Sequence, residues 1–230
     1  MSDLKLDFCS HDAARHAVMR WHYSRRMPKC KLVKIGVWEG GRFCGAIIYG
    51  LGANRHLASP FGLENTEAVE LVRVALCSGR QHPTSKCVAI SLRLLRRQSP
   101  GLKLVVSYAD RGEGHVGTLY QAGGWLFLGG SEQSYLKVRG KVEHPRTLYD
   151  RYGRNGQSVP WLRQHVDPKA ERVPMAPKLK YVYPLDPKLR RELAAVALPY
   201  PKRERSDTGD APAVQAGEGG STPTRSLQVG

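Results

Sequence analysis

Lys103-Leu104-Val105-Val106-Ser107-Tyr108-Ala109-Asp110, KLVVSYAD, decides the fold. The run is nearly continuous in apolar residues, which predicts a strand covered on both faces. It ends on Asp110, and in open α/β sheets ligands collect at the carboxyl ends of strands. Just upstream, His82-Pro83-Thr84-Ser85 opens a helix that runs to about Gln98. Its apolar positions Val88, Leu92 and Leu95 repeat at helical spacing, with Lys86, Arg93, Arg96 and Arg97 on the opposite side. Before that helix, Glu70 to Leu76, ELVRVAL, reads as another strand. After KLVVSYAD come a short helix, Val116 to Ala122, and the strand WLFLG from Trp125.

Further out, Ser10 caps a helix expected from about His11 to Trp21. VKIGVWE and RFCGAIIYG flank Gly40-Gly41, a strong hairpin signal. Tyr135 to Val138 and Tyr181 to Tyr183 are candidate late strands. Residues 140–178 are rich in Arg, Pro and Tyr and carry no clear periodicity. From Pro201 the chain is rich in Gly, Pro, Ser and Thr and reads as a disordered tail. The expected organisation is one domain over residues 1–200 and a tail over 201–230. The order of elements is helix, strand, strand, strand, helix, strand, helix, strand, an α/β layout with a mixed sheet.

Charge narrows the function. Thirty-six Lys and Arg stand against 20 Asp and Glu, a net charge of +16. The tail holds four cations (Lys202, Arg203, Arg205, Arg225) and four anions (Glu204, Asp207, Asp210, Glu218), so the folded part carries the whole excess. Such a field favours nucleic acid; no basic amphipathic helix with a broad aromatic face points to a membrane surface. No apolar run approaches the roughly 18 residues of a membrane span, and MSDLKLDFCS lacks a signal-peptide pattern. A cytoplasmic protein is expected. The five cysteines (Cys9, Cys30, Cys44, Cys77, Cys87) are odd in number and form no Cys-x-x-Cys pair. That pattern fits reduced thiols, with Cys44, Cys77 and Cys87 as small core residues.

The most basic segment is His22 to Lys31, HYSRRMPKCK. As a loop after a helix, its Arg25, Arg26, Lys29 and Lys31 would complement the helix dipole and be solvated. As a functional segment, the same cations grip DNA phosphates while His22 and Tyr23 face a base. Tyr23 would stack on it and His22 would shuttle a proton. Lys34, Arg80, Lys86, Arg93, Arg96, Arg97, Arg146, Arg151 and Arg154 would widen the basic surface if they share a face. Arg73 interrupts an apolar strand, so it must reach solvent, a carboxylate or a phosphate. Asp110 across the sheet, Glu70 on the same strand, or an anionic donor are the available partners. Thr84 and Ser85 read most simply as helix caps.

The element order is similar to that of the GNAT acyltransferase superfamily. ELVRVAL takes the place of its fourth strand, KLVVSYAD its fifth, and HVGTLYQAGGWLFLG the segment that follows. The resemblance implies a mostly antiparallel central sheet with splayed middle strands, flanking helices, and donor and acceptor meeting in the gap. Tyr120 would then stand where the superfamily often keeps a general acid. The superfamily's Gly-rich pyrophosphate turn is missing: GRQHPTSKCVAIS has Pro83, which lacks an N–H. Thr84, Ser85 and Lys86 remain as the donor-binding candidates at that helix start.

HYSRRMPKCK, ELVRVAL, HPTSK, SYADRGEGHVGTLYQAGGW and HPRTLYDRYG together resemble the Mom family of phage DNA modification proteins, over about residues 10 to 185. The resemblance implies carbamoylmethylation of adenine N6 in DNA, which shields phage DNA from restriction. It strengthens Asp110 and Tyr120, otherwise a turn aspartate before Gly112 and a core tyrosine, as catalytic candidates beside His22, Tyr23 and Arg73, with Asp110 acting as base or hydrogen-bond acceptor toward the adenine amine and His115 and His144 as further candidates without an assigned role. Adenine N6 is a poor nucleophile inside a base stack, so double-stranded DNA with a flipped adenine is the expected substrate. The transferred atoms N–CO–CH2 are those of glycine amide, which makes a glycyl group on charged tRNA one donor and an acyl-coenzyme A the other. No ligand spacing demands a metal, but the family's association with iron leaves one open, and His22, His82 and His115 would have to converge in space to hold it. Competing readings are an ordinary N-acyltransferase on a small amine or protein and a non-catalytic nucleic-acid binder.

Overall fold

The computed structural model describes residues 3–51 and 56–202; the tail expected beyond Lys202 lies outside these. Eight strands form one open sheet: β1 Leu4–Phe8, β2 Leu32–Glu39, β3 Arg42–Gly50, β4 Ala68–Leu76, β5 Leu104–Asp110, β6 Leu126–Val138, β7 Lys141–Glu143 and β8 Glu171–Pro184. Their order across the sheet is β1-β2-β3-β4-β5-β8-β6-β7. β4 and β5 pair in parallel and every other neighbouring pair is antiparallel. The helices are α1 His11–Trp21, α2 Thr84–Gln98, α3 Thr118–Ala122, α4 Pro145–Tyr152, α5 Val159–His165 and α6 Pro187–Val196. No helix among the described residues is long and apolar enough to cross a membrane.

The local signals explain most of these elements. Ser10 Oγ accepts from Ala13 N–H at 3.1 Å and starts α1. Gly40 and Gly41 take φ values of 56° and 78°, the left-handed pair that a tight hairpin demands. α2 buries Cys87, Val88, Ser91, Leu92 and Leu95 and leaves Lys86, Arg93, Arg96 and Arg97 exposed, as its periodicity predicts. α3 starts at Thr118 rather than Val116 because Gly117 stands before it with φ 80°.

Several elements depart from the sequence expectation. β1 closes one edge through the short alternation LKLDF. WLFLG and Tyr135–Val138 are parts of one bent strand, β6, whose register shifts between Phe127 and Gly130. The unassigned 140–178 region is a helical module: α4 and α5 pack Leu148 and Leu162 against Leu136, Val138 and Ala170. α6 then docks through Leu189.

The sheet is covered on both faces. On one, α2 packs Val88, Leu92 and Leu95 with Ile35, Ile47, Tyr49, Leu71 and Val105. On the other, α1 packs Ala14, Ala17 and Val18 with Ala46, Ile48 and Ala75. Alternation along each strand sends successive side chains to opposite faces. Ala68, Leu104, Val106 and Val182 therefore form their own cluster on the α1 side.

The middle of the sheet is split. β4 and β5 pair only at Ala68↔Leu104, Val69↔Val105 and Glu70↔Val106. Beyond Glu70 the ladder stops. Ser107 Oγ donates to the Leu71 carbonyl at 2.9 Å and so satisfies the first acceptor the gap exposes. β4 also bulges, since Tyr49 pairs with Leu71 while Ile48 pairs with Arg73, leaving Val72 extra. The extra residue puts Glu70 and Arg73 on the same face, the α1 side. The fold is thus mixed α/β with splayed middle strands, as expected.

Candidate functional site: the mouth of the strand gap

The gap between β4 and β5 gathers ionisable side chains on the α1 face. Glu70 and Arg73 come from β4 through the bulge. Asp110 ends β5 with the parity of Leu104 and Val106, and Lys178 pairs opposite it on β8. His22 and Tyr23 come from the end of α1, and His115 follows the one-turn 3-10 helix Arg111–Glu113. Tyr23 is exposed, stacks on His22 at 4.4 Å and 29°, and lies 6.0 Å from the His115 ring. Arg73 Nε donates to the Arg26 carbonyl at 3.3 Å, which ties the basic loop to the gap.

Asp110 and Arg73 do not pair. Asp110 Oδ1 accepts from Gly112 N–H at 3.0 Å and Oδ2 lies 3.8 Å from Lys178 Nζ. Arg73 instead feels Glu70, Tyr23 and Cys30, with burial pulling its pKa down. Burial raises the Glu70 carboxyl above its ordinary value, against the lowering pull of Arg73 and Lys178. Although more than half of Tyr23 is exposed, the partial burial of the rest, and then Asp110, raise its phenol. Burial, then Arg73 and His115, lower the His22 pKa to about 3, so the ring is neutral at pH 7.

Tyr120 approaches the gap from the other face. Ser107 already donates to Leu71, so the Tyr120 hydroxyl donates to Ser107 Oγ, 2.8 Å away. Its ring stacks on Tyr181 at 5.0 Å and touches Trp125. Burial, chiefly, pushes its pKa up to about 12. Tyr120 is therefore a packed, hydrogen-bonded phenol at the floor of the gap, with Glu70 and Tyr23 within electrostatic reach.

The α2 head holds Thr84, Ser85 and Lys86 on the face away from His22 and Asp110. Some of its polar groups are already engaged. Glu39 is buried, 6% exposed, and its two carboxylate oxygens accept from the N–H groups of Gln81 and His82 at 2.9 and 3.0 Å. Burial alone would raise this carboxyl, but the two N–H donors, His82 and Arg80 outweigh it and hold it below the ordinary range. Pro83 has no N–H to offer. Thr84 Oγ1 accepts from Arg80 Nη2 at 2.8 Å, and Lys86 Nζ lies 3.3 Å from His82 Nδ1. A protein carboxylate thus takes the two N–H groups ahead of α2, whereas among the described residues the Thr84 and Ser85 N–H groups of its first turn have no hydrogen-bond partner.

The basic side chains divide between faces. Arg25, Arg26, Lys29 and Lys31 are all exposed beside the gap, and no ion pair among the described residues engages them. Arg93, Arg96 and Arg97 lie on the outside of α2, across the sheet. Arg80 turns inward onto the Cys77 carbonyl, and Arg151 is paired with Glu143 at 2.9 Å. Arg93, Arg96 and Arg97 therefore do not share a face with the loop, whereas Lys34, paired opposite Ile48, has the parity of the α1 side.

Metal ligation finds no support in the side-chain arrangement. His82 sits with Glu39 at the α2 head, far from the His22–His115 cluster. Among the described residues no three His, Cys, Asp or Glu side chains are arranged to hold an ion, so iron does not fit the residues present.

Tyr135 and Lys178 at the gap escaped sequence reasoning. Tyr135 on β6 feels Asp110 and Glu113, and its ring meets His144 edge-on at 5.0 Å. His144 caps α4 and senses Lys178. Lys178 had only strand parity as a signal, and the pairing of β5 with β8 had to be known to use it, whereas Glu70 was available from the sequence as a partner for Arg73.

Comparison with known proteins bears on this geometry. The model of the Mom protein family matches residues 3–202. The methylcarbamoylase mom of Escherichia phage Mu is 27% identical over 206 residues, covering 87% of this chain and 84% of that protein. Among solved structures, a tandem GNAT protein from the clavulanic acid biosynthesis pathway is 14% identical, with a TM-score of 0.39. The match covers 59% of this chain and spans 48% of that one. FeeM, an N-acyl amino acid synthase from uncultured soil microbes, is 14% identical over 85% of this chain and 98% of its own, with a TM-score of 0.40. With its family model running from the first strand past the last helix, the chain belongs to the Mom protein family.

Proposed function

We propose that this protein is a DNA-modifying transferase that places a carbamoylmethyl group on N6 of adenine in double-stranded DNA, in the cytoplasm of a phage-infected cell. One observation carries the reading: Asp110, Glu70, Arg73, His22 and Tyr23 converge at the mouth of the strand gap, beside four unpaired cations. The cations Arg25, Arg26, Lys29 and Lys31 hold phosphates, and Tyr23 offers an exposed ring on which a flipped adenine stacks. Asp110 accepts the N6 proton or orients the amine. Methylcarbamoylation by the phage Mu relative supports the transferred group.

Pro83 lacks an N–H and Glu39 takes the two N–H groups before it, so the α2 head favours a donor that is not held by pyrophosphate there. A glycyl ester on tRNA meets that condition. In that chemistry N6 attacks the glycyl carbonyl carbon, the ester C–O bond breaks, and the ribose hydroxyl leaves with the N6 proton. The N6-glycyl adenine so formed is an isomer of the carbamoylmethyl product. Attack of the glycyl amine on C6 through a five-membered ring, with cleavage of the old C6–N bond, gives the carbamoylmethyl isomer with no atom gained or lost.

Nucleosides from plasmid DNA of cells expressing the chain test the reading by tandem mass spectrometry, which separates the two isomers. Wild-type protein is expected to yield the modified deoxyadenosine. Asp110→Asn is expected to lower the rate by about 10²–10⁴-fold while DNA affinity stays within a few-fold. Ribonuclease treatment of an active extract is expected to abolish activity; undiminished activity removes the tRNA donor. Unmodified DNA from folded wild-type protein would favour a non-catalytic binder.

A further inference from the structure

α1 hands His22 to a tight turn. The His22 carbonyl accepts from Arg25 N–H at 3.0 Å, and Arg25 takes a left-handed φ of 44°, uncommon for a residue with a side chain. The turn folds Ser24 back over the imidazole. Ser24 N–H donates to Nδ1 at 3.1 Å, and Ser24 Oγ lies 2.9 Å from the same nitrogen. A backbone N–H can only donate. Nδ1 is therefore unprotonated, and the neutral ring carries its proton on Nε2.

Arg73 is fixed beside it. Its Nε donates to the Arg26 carbonyl at 3.3 Å and its Nη1 to the Val72 carbonyl at 2.6 Å. Both anchors come from irregular backbone, the basic loop and the β4 bulge. No hydrogen bond within the described residues uses Nη2 of Arg73 or Nε2 of His22. Two donors are thus left open at the mouth of the gap.

We propose that His22 Nε2–H and Arg73 Nη2 form a two-donor site for the carbonyl oxygen of an acyl donor, with Ser24 as the residue that positions His22 by fixing its tautomer. The assignment rests on the acyl-transfer reading above. As N6 attacks, the carbonyl π electrons move to oxygen, and preorganised donors stabilise the charge that develops there. Collapse restores the carbonyl and expels the ester oxygen. His22 keeps its proton throughout, so it is not the proton shuttle that the sequence suggests, and proton acceptance falls to a carboxylate. A neutral imidazole polarising a carbonyl is established enzyme chemistry.

Two measurements test this. The first is two-bond ¹H–¹⁵N spectroscopy of the full chain with labelled histidine, His22 being assigned by its loss in His22→Gln. An Nε2–H ring that stays neutral from pH 7 to pH 5 is expected. An Nδ1–H ring, or protonation with a midpoint near 6.5, overturns the assignment whether or not the chain modifies DNA. The second is DNA modification by two variants. His22→Ala should lose about 10²–10³-fold, whereas His22→Gln, whose amide N–H can stand in for Nε2–H, should recover at least tenfold of that loss. Equal loss in both overturns the donor role. A wild-type chain that modifies no DNA removes the transferase reading instead, and the spectra still decide the tautomer.

Discussion

At the residue scale, buried hydroxyls show how this core assigns protons. Tyr49 is fully buried, and its hydroxyl lies 2.6 Å from Ser91 Oγ. Ser91 donates to the Val88 carbonyl at 2.8 Å, so Tyr49 must donate to Ser91. Ser91→Ala strands the Tyr49 proton in an apolar core and is expected to cost about 1–3 kcal/mol in urea denaturation. Adding Tyr49→Phe removes the stranded group and should recover most of that loss, giving a coupling energy that differs clearly from zero. The Tyr120–Ser107–Leu71 chain follows the same rule at the gap, but there the last acceptor is a carbonyl that strand pairing left open. A phenol in that position is a structural donor.

At the scale of elements, the α2 head is held by a residue from another strand. Glu39 ends β2 and satisfies two N–H groups in front of a helix whose N-cap is a proline with no side-chain acceptor. Glu39→Ala leaves both donors without their charged partner and is expected to lower stability by about 2–3 kcal/mol, read by chemical denaturation at neutral pH. The pH dependence has a definite sign. The Glu39 pKa lies below its ordinary 4.5 in the folded chain, so the unfolded chain takes up the proton first on acidification. The contribution is therefore full above the ordinary carboxylate range and is lost as pH falls through the folded value. The difference between wild type and Glu39→Ala should shrink over that same acid window.

At the scale of the molecule, the sheet separates two basic surfaces. The loop cations face the gap, whereas Arg93, Arg96 and Arg97 lie outside α2 on the other side. Replacing Arg25, Arg26, Lys29 and Lys31 by alanine is expected to reduce the slope of log K against log salt for duplex binding by about 3–4. Replacing the three α2 arginines should change that slope by less than about 1. Equal effects would mean that DNA wraps past the sheet edge. The helical module of α4 and α5 also meets the site, through the contact of His144 with Tyr135.

The amino-acid order by itself determined the α/β class, the hairpin at Gly40-Gly41, the amphipathic α2, the basic segment after α1 and the loss of a Gly-rich turn. Each is set by neighbours within a few residues, through periodicity, capping or turn chemistry. The residues themselves offered His22, Tyr23 and Arg73, and the resemblances added the splayed middle strands and strengthened Asp110 and Tyr120. Only the tertiary structure decided which of these meet. One extra residue in β4 rotates Arg73 onto the α1 face beside Glu70, and a pairing that stops at Glu70 opens the gap. Lys178 reaches Asp110 because β8 inserts between β5 and β6, 68 positions later in the chain than Asp110. Glu39 closes the α2 head from 42 residues away. Those outcomes depend on strand register and on which backbone donors remain unpaired, and both are properties of the assembled sheet rather than of any local segment.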